Sequence, residues 1–316
     1  MRYPSGYETT LSLVSISSCR RLSSLRIQPD HLNLPLLQGL AALPLLVELS
    51  IDVNSMANDV VTRLGFKMLQ TLRIDGEIFT TMRFLSMISS PFIHTFSVDI
   101  AVQEDAESLR SLSAMIAAKF PSLCNLQFRA TGFGAEDLPL SAIIESLMSL
   151  RSLRVIDLTP LKGMSLSNQE LVDMASAWPD AEVLSIWGTA TSVDAGHVLT
   201  AFARLCPNLK DFSLPYLNFD ALPSPDSLSN ISAVGHCLRT LRFNALLNDS
   251  VPDPSAAAHF LDVIFPELDL KRAIAYEVDV KRDFRSPDES RWKKVLELLA
   301  SLRRDREHRL DQVESS

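Results

Sequence analysis

No CxxC pair, no HExxH or HxxxH spacing and no apolar run of membrane-spanning length occurs in this chain of 316 residues. Each absence removes a class of protein. The four cysteines, Cys19, Cys124, Cys206 and Cys237, stand apart with no histidine cluster beside them. Neither a disulfide framework nor a zinc site is expected, and reduced thiols in the cytoplasm or nucleus are. The opening MRYPSGYETTLSLVSISSCRR has short apolar pieces broken by Ser and Thr rather than the continuous apolar core of a signal peptide. A membrane span would need about 18–20 apolar residues in a row. Positive charge is also short: 30 Lys and Arg against 38 Asp and Glu give a net charge of −8. That balance argues against gripping a phosphate backbone or an anionic membrane, so neither nucleic acid nor lipid is expected as a partner. With 47% hydrophobic and 22% charged residues the chain is globular.

Catalytic patterns are equally thin. The stretch Thr131-Gly-Phe-Gly-Ala-Glu-Asp137 puts Asp where a dinucleotide fingerprint needs its third glycine, so it reads as a flexible strand-to-helix turn. Asp194 and His197 sit three apart at the start of a helical segment, with no activated nucleophile indicated. His236-Cys237 reads as the approach to a strand rather than a dyad. No enzymatic activity and no cofactor are expected.

What the chain has is a repeated phrase: leucine, two polar residues, leucine, one polar residue, an apolar residue. It occurs as LSSLRI at 22–27, LVELSI at 46–51, LQTLRI at 69–74, IHTFSV at 93–98 and LCNLQF at 123–128. It continues as LRVIDL at 153–158, AEVLSI at 181–186, LKDFSL at 209–214 and LRTLRF at 238–243. The starts are 24, 23, 24, 30, 30, 28, 28 and 29 residues apart. Pro44, Pro91, Pro121, Pro179 and Pro207 each stand two residues before a phrase, and a degraded tenth unit is expected from Pro266-Glu-Leu268. Each phrase reads as a short strand with alternating faces. The segments between have helical spacing. In 104–119, Leu109, Leu112, Met115 and Ile116 share a stripe; in 192–206, Val198, Leu199, Phe202 and Leu205 do, with Ser192 as N-cap. Proline stops each helix and extends the residue before it. A strand, a helix and another strand in about 28 residues means parallel pairing.

A doubly wound sheet, an α/β barrel and a repeat solenoid all satisfy that order. Side-chain polarity separates them. Strands covered on both faces read as continuous apolar runs. Here the third and fifth phrase positions are Ser24/Arg26, Glu48/Ser50, Thr71/Arg73, Thr95/Ser97, Asn125/Gln127, Val155/Asp157, Val183/Ser185, Asp211/Ser213 and Thr240/Arg242. Only Val155 and Val183 are apolar, so one sheet face is expected to be wet. The fold class follows: α/β, an open solenoid, with a parallel sheet on the concave face and helices on the convex face.

The LxxLxL phrase at 23–30 residue spacing resembles the leucine-rich repeat over about 22–270. That pattern continues with Asn or Cys three positions after the last apolar residue; only Asn54 falls there, so irregular turns are expected. The unequal, degenerate repeats look like those of F-box substrate adaptors, notably fungal ones. The resemblance implies recognition of a protein destined for ubiquitination by a cullin-type ligase, with ligase subunits as further partners. Such adaptors carry an F-box with an LPxE-like opening ahead of the repeats, and no such stretch precedes residue 22. A free-standing repeat scaffold is the alternative, and an α/β-barrel enzyme a third.

The domain reading is an N-terminal extension or incomplete cap at 1–21, the repeats at 22–275 and a C-terminal segment at 276–316. In the last, Ser286-Pro287-Asp288-Glu289 matches a capping box. It opens a helix of about 287–307, with Trp292, Val295, Leu296, Leu299 and Leu302 on one face and a fraying charged tail beyond. This helix is expected to cover the end of the array, which any solenoid must protect. A monomer is expected.

The wet face supplies the candidate site. The residues after the phrases include Asp52, Asp75, Asp99, Arg129 and Trp187. Asp52, Asp75 and Asp99 would line up on consecutive repeats, with Glu48 adding charge and Arg26 and Arg73 tempering it. Such a strip suits Lys or Arg of a basic protein or peptide. The alternative is that each Asp bonds its own turn. Trp187 would be an aromatic on a polar face, while Asp211 and Arg242 complete the candidate set.

Overall fold

The computed structural model describes residues 19–28, 32–56, 62–101, 106–131, 140–159, 164–187, 192–214, 216–228, 236–243, 251–272 and 291–314. The phrases form the strands β1 (Ser24–Ile27), β2 (Glu48–Asp52), β4 (Thr71–Glu77), β6 (Thr95–Ala101), β7 (Asn125–Thr131), β8 (Val155–Thr159), β9 (Val183–Ile186), β11 (Asp211–Leu214) and β13 (Thr240–Phe243). They make one nine-stranded sheet in that order, parallel throughout. Two short parallel pairs lie outside it: β3 (Leu64–Gly65) with β5 (Ile88–Ser89), and β10 (Val193–Asp194) with β12 (Leu217–Asn218). Helices α1 (Leu34–Ala41), α2 (Ile78–Met87), α3 (Ala106–Lys119), α4 (Ser141–Leu147), α5 (Asn168–Ala177), α6 (Ala195–Leu205), α7 (Pro225–Leu228), α8 (Pro254–Ile264) and α9 (Arg291–Glu314) complete the described elements. The arrangement is an α/β repeat solenoid of the leucine-rich type.

Register follows the phrase without a slip. Ser24 pairs with Glu48, Glu48 with Thr71, Thr71 with Thr95, and so on to Thr240. A repeated hydrogen-bond pattern fixes it. The carbonyls of Ser23, Val47, Gln70, His94, Cys124, Arg154, Glu182 and Lys210, each at the second phrase position, accept two N–H groups from the next repeat at 2.7–3.1 Å. The leucine positions are buried in one continuous core with the helix stripes. Each such side chain contributes about 1.5–3 kcal/mol by leaving water.

Proline does what its place in the sequence requires. The residues before Pro179, Pro207 and Pro266 end their helices at φ/ψ of −124/63, −123/66 and −132/69°, outside the helical region. Each of these residues then accepts a bond from the N–H three residues on: Ala181 to Trp178 (3.0 Å), Leu209 to Cys206 (3.0 Å) and Leu268 to Phe265 (3.2 Å). A tight turn thus delivers the chain into its strand. Before β13 there is no proline at this place, and His236 substitutes for the turn. Its Nδ1 accepts the Leu238 N–H (3.1 Å), which leaves the proton on Nε2, donated to the Cys206 carbonyl (2.9 Å). Burial holds this imidazole below its usual pKa, and it pushes the Cys206 thiol up to about 12. Both groups are satisfied structural side chains.

Several expectations change. Helix α6 starts at Ala195, not after Ser192, because Val193–Asp194 is still extended against Leu217–Asn218. Asp194 is the N-cap, its carboxylate accepting the His197 N–H at 3.1 Å. The Asp194–His197 spacing is therefore a helix cap. Leu205, placed on the buried stripe, is 38% exposed, since Cys206 takes the inward place ahead of the proline turn. The degraded tenth unit opens like the others, with Asp269 N–H bonded to the Arg239 carbonyl at 2.6 Å. The Asp269 carboxylate then caps the Lys271 and Arg272 N–H groups (3.0 and 3.2 Å), and the chain turns helical instead of adding a strand.

Helix α9 runs to Glu314 rather than stopping near 307 with a fraying tail. Trp292, Val295, Leu296 and Leu299 are buried and Leu302 is packed against the core. Trp292 stacks near Phe243 of β13 (ring centroids 4.5 Å) and Phe219 (6.0 Å). About three turns beyond Trp292, Arg303 and Arg306 pair with Asp262 of α8, which keeps the later turns in register. The Ser286–Glu289 box, the Gly132–Gly134 turn and residues 1–18 lie outside the described residues.

Candidate binding face

Alternation divides each strand. The third and fifth phrase positions face away from the core and remain exposed or half-exposed over most of the sheet, while the fourth and sixth are buried apart from the half-buried Leu25. Two exceptions fall at the C-terminal end: Ser213 and Thr240 are 5% and 1% exposed. The wet face expected from the sequence therefore runs from β1 to β9 and is interrupted at β11 and β13. Arg242 remains exposed there and Asp211 half-exposed.

The pairing places Asp52 beside Asp75 and Asp75 beside Asp99, with Arg129 next along the row. Neighbouring parallel strands are about 4.8 Å apart, so three carboxylates stand within about 10 Å. Asp75, in the middle, carries the physical mark of that crowding. Burial raises its pKa, and the charges of Asp99 and Asp52 raise it further, against the pull of Arg26 and Arg73. The turn-bonding alternative applies to Asp52, whose carboxylate accepts the Asn54 N–H at 2.9 Å. Among the described residues the Asp75 and Asp99 carboxylates make no hydrogen bond or ion pair.

The scaffold beneath is stiff. Asn54 accepts the Glu77 N–H at 2.8 Å, joining one repeat's turn to the next strand's end. Gly76 permits this close approach, since a Cβ there would lie 2.6 Å from the Val53 side chain. Strand β4 consequently runs into α2 with no loop, and Phe79 is fixed at its end, 70% exposed. Sequence reasoning missed Phe79. The signal was present: Ile78, Thr81, Phe84, Leu85 and Met87 form the buried side of α2, and Phe79 falls off it.

Beyond β6 the face is self-paired. Ser97 donates to Gln127 (2.9 Å), and Gln127 donates to Asp157 (2.9 Å), which also sits 3.6 Å from Arg129. Arg129 is thus partly neutralised. Glu48 accepts from Ser24 at 3.0 Å. Arg26 and Arg73 are exposed on either side of Ser50. Trp187 is half-buried, its indole N–H donated to the Ser185 hydroxyl of its own strand. Among the described residues no group of three or more His, Cys, Asp or Glu is placed to hold a metal ion, and no helix is long and apolar enough to cross a membrane.

A pH-dependent consequence follows for Asp75. Its native pKa lies above the unfolded value, so the stability tied to its protonated form is present at acid pH. That stability is lost as pH rises through the carboxylate range. At neutral pH the ionised group is a net cost. Asp75→Asn is expected to raise the thermal midpoint at pH 7, with the advantage vanishing in acid. Equal midpoints at pH 7 would show that the row is not under electrostatic strain.

The sequential parallel strands, the helices between them and the polar strand face define an α/β repeat fold. No family model matches the chain, and no curated protein does. Among solved structures, the crystal structure of a TLR13–ssRNA13 complex is similar at 12% identity and a TM-score of 0.38, covering 76% of this chain and 39% of that one. The chain spans about two-fifths of that protein's length.

Proposed function

We propose that the chain is a non-catalytic protein-recognition module: an open arc whose repeats span 22–275 and whose C-terminal segment, 276–316, covers the end of the array. The guest is a protein or peptide presenting Lys or Arg to the strip of Asp52, Asp75 and Asp99. One observation carries this reading: three carboxylates in register on adjacent strands, the central one held above its ordinary pKa by burial and by the charges of its two neighbours. A row that repels itself is relieved when a cation sits on it. Phe79, exposed at the end of β4, supplies an apolar anchor beside the charge. Glu48, Arg26, Arg73, Arg129, Trp187, Asp211 and Arg242 line the rest of the face and set its selectivity.

The repeats resemble those of F-box adaptors, and the finer reading is substrate recognition for a cullin-type ubiquitin ligase, in the cytoplasm or nucleus. Co-purification with a cullin-ligase adaptor supports that role; its absence favours a scaffold that recruits no ligase. The recognition reading has its own test. The triple variant Asp52→Asn, Asp75→Asn, Asp99→Asn is titrated against a Lys/Arg-rich peptide at several salt concentrations. Affinity is expected to fall about tenfold or more, and its dependence on salt to flatten. Unchanged affinity and unchanged salt slope would remove the strip as a site.

A further inference from the structure

The residue just before each phrase lies three positions ahead of the first paired residue of the long sheet. In repeats two, three and four it is Leu45, Met68 and Phe92, exposed by 49, 42 and 56%. Because Glu48, Thr71 and Thr95 are cross-strand partners, the three apolar residues occupy equivalent places in the turns that lead into adjacent strands. The same place in the other repeats holds Arg21, Ser122, Ser152, Asp180, Asn208, Cys237 and Glu267. Scattered surface apolar residues are ordinary, whereas three in register with none elsewhere form a stripe. It lies at the end of the strands opposite the aspartate row.

Its electrostatic setting is also opposite. Within two residues of this place in repeats one to four stand the exposed Arg20, Arg21, Lys67 and His94, and exposed Arg63 lies five residues before Met68. Lys119 is bonded to the Ile88 carbonyl at 2.9 Å; burial depresses its pKa, and the nearby charge of Arg63 lowers it further. In repeats one to four no carboxylate lies within two residues of this place. In later repeats Asp180, Glu182, Glu267 and Asp269 fill that zone.

We infer that this rim is a second docking surface, and that its occupant is an acidic amphipathic helix of another protein. The strand spacing of about 4.8 Å is close to the 5.4 Å pitch of an α-helix, so a helix crossing the strands can set one apolar side chain per turn on Leu45, Met68 and Phe92. Its acidic flanks then meet Lys67, Arg21 and Arg63. The chain's net charge of −8 disfavours an anionic membrane as the occupant.

The probe is a synthetic helix-forming peptide with leucine at i, i+4 and i+7 and glutamate between. One control carries lysine in place of glutamate and another serine in place of leucine. Anisotropy titration of the full chain is expected to show binding of the Glu–Leu peptide and at least about tenfold weaker binding of both controls. The variant Leu45→Ser, Met68→Ser, Phe92→Ser is expected to lose about tenfold or more, and Lys67→Glu to weaken binding as well. The triple Asp→Asn variant of the opposite row is expected to bind like the native chain, which separates this surface from the recognition strip. Failure of the Glu–Leu peptide to bind overturns the proposal, as does equal binding by the triple serine variant. It is overturned too if the serine substitutions abolish instead binding to phosphatidylserine-containing vesicles or concentration-dependent self-association.

Discussion

Asp262→Ala is expected to destabilise the protein by about 3–5 kcal/mol, because it leaves two arginines facing a partly buried site without their counter-charge. Asp262 is 7% exposed on α8, and its carboxylate holds Arg303 at 3.5 Å together with Arg306. Arg303 also donates to the carbonyls of Leu268 (2.7 Å) and Phe265 (3.0 Å), which end α8 and its proline turn. Burial lowers the Arg303 pKa, and Asp262 is the chief influence restoring it. Removing either partner should therefore cost nearly as much as removing both. Urea unfolding of Asp262→Ala, Arg303→Met and the double variant checks this. A double-variant loss well below the sum of the singles is expected. A single-variant loss within about 0.5 kcal/mol of zero would mean the cluster is a surface pair of little weight.

Trp292→Ala should cost a similar amount, about 3–5 kcal/mol, for a different reason. The indole packs against Phe243 and Phe219 and is 4% exposed. Its removal opens a cavity in the layer that covers β13. Hydrogen exchange is the sharper readout. Protection should fall first in residues 240–243 and 291–302 and remain in β4 to β8, since a repeat array loses stability from the damaged end inward. Uniform loss along the chain would contradict that picture. Trp292→Phe, which keeps most of the buried area, should recover most of the loss.

The strands were legible because the phrase imposes a period of two on buried leucines, and burial is the strongest force acting on them. Even the pairing register could be read off, since one phrase aligned on the next aligns Ser24 with Glu48 and Thr71. The aspartate row came with it. Helix ends were less legible. Ser192 and Asp194 are both good caps, and the choice was made by a two-residue strand pairing with Leu217–Asn218, a contact between distant residues. The length of α9 was hidden in the same way, because Arg303 and Arg306 read as a solvated run until Asp262 is placed opposite them. Ser213 and Thr240 look like wet-face residues by pattern, and their burial is a property of the assembled end. The stripe of Leu45, Met68 and Phe92 escaped for a simpler reason: each lies one residue before its phrase, and Phe79 lies in the helix beyond one.

The paired N–H groups on each second-position carbonyl have a consequence for how such a protein changes over time. Between one such carbonyl and the next the chain uses anywhere from 23 to 30 residues, yet the strands stay in step. Length variation is absorbed on the helical side, so insertions there leave the comb of outward side chains evenly pitched. Ligand preference can then drift by single letter changes at the third and fifth phrase positions, with the frame that holds them left unaltered.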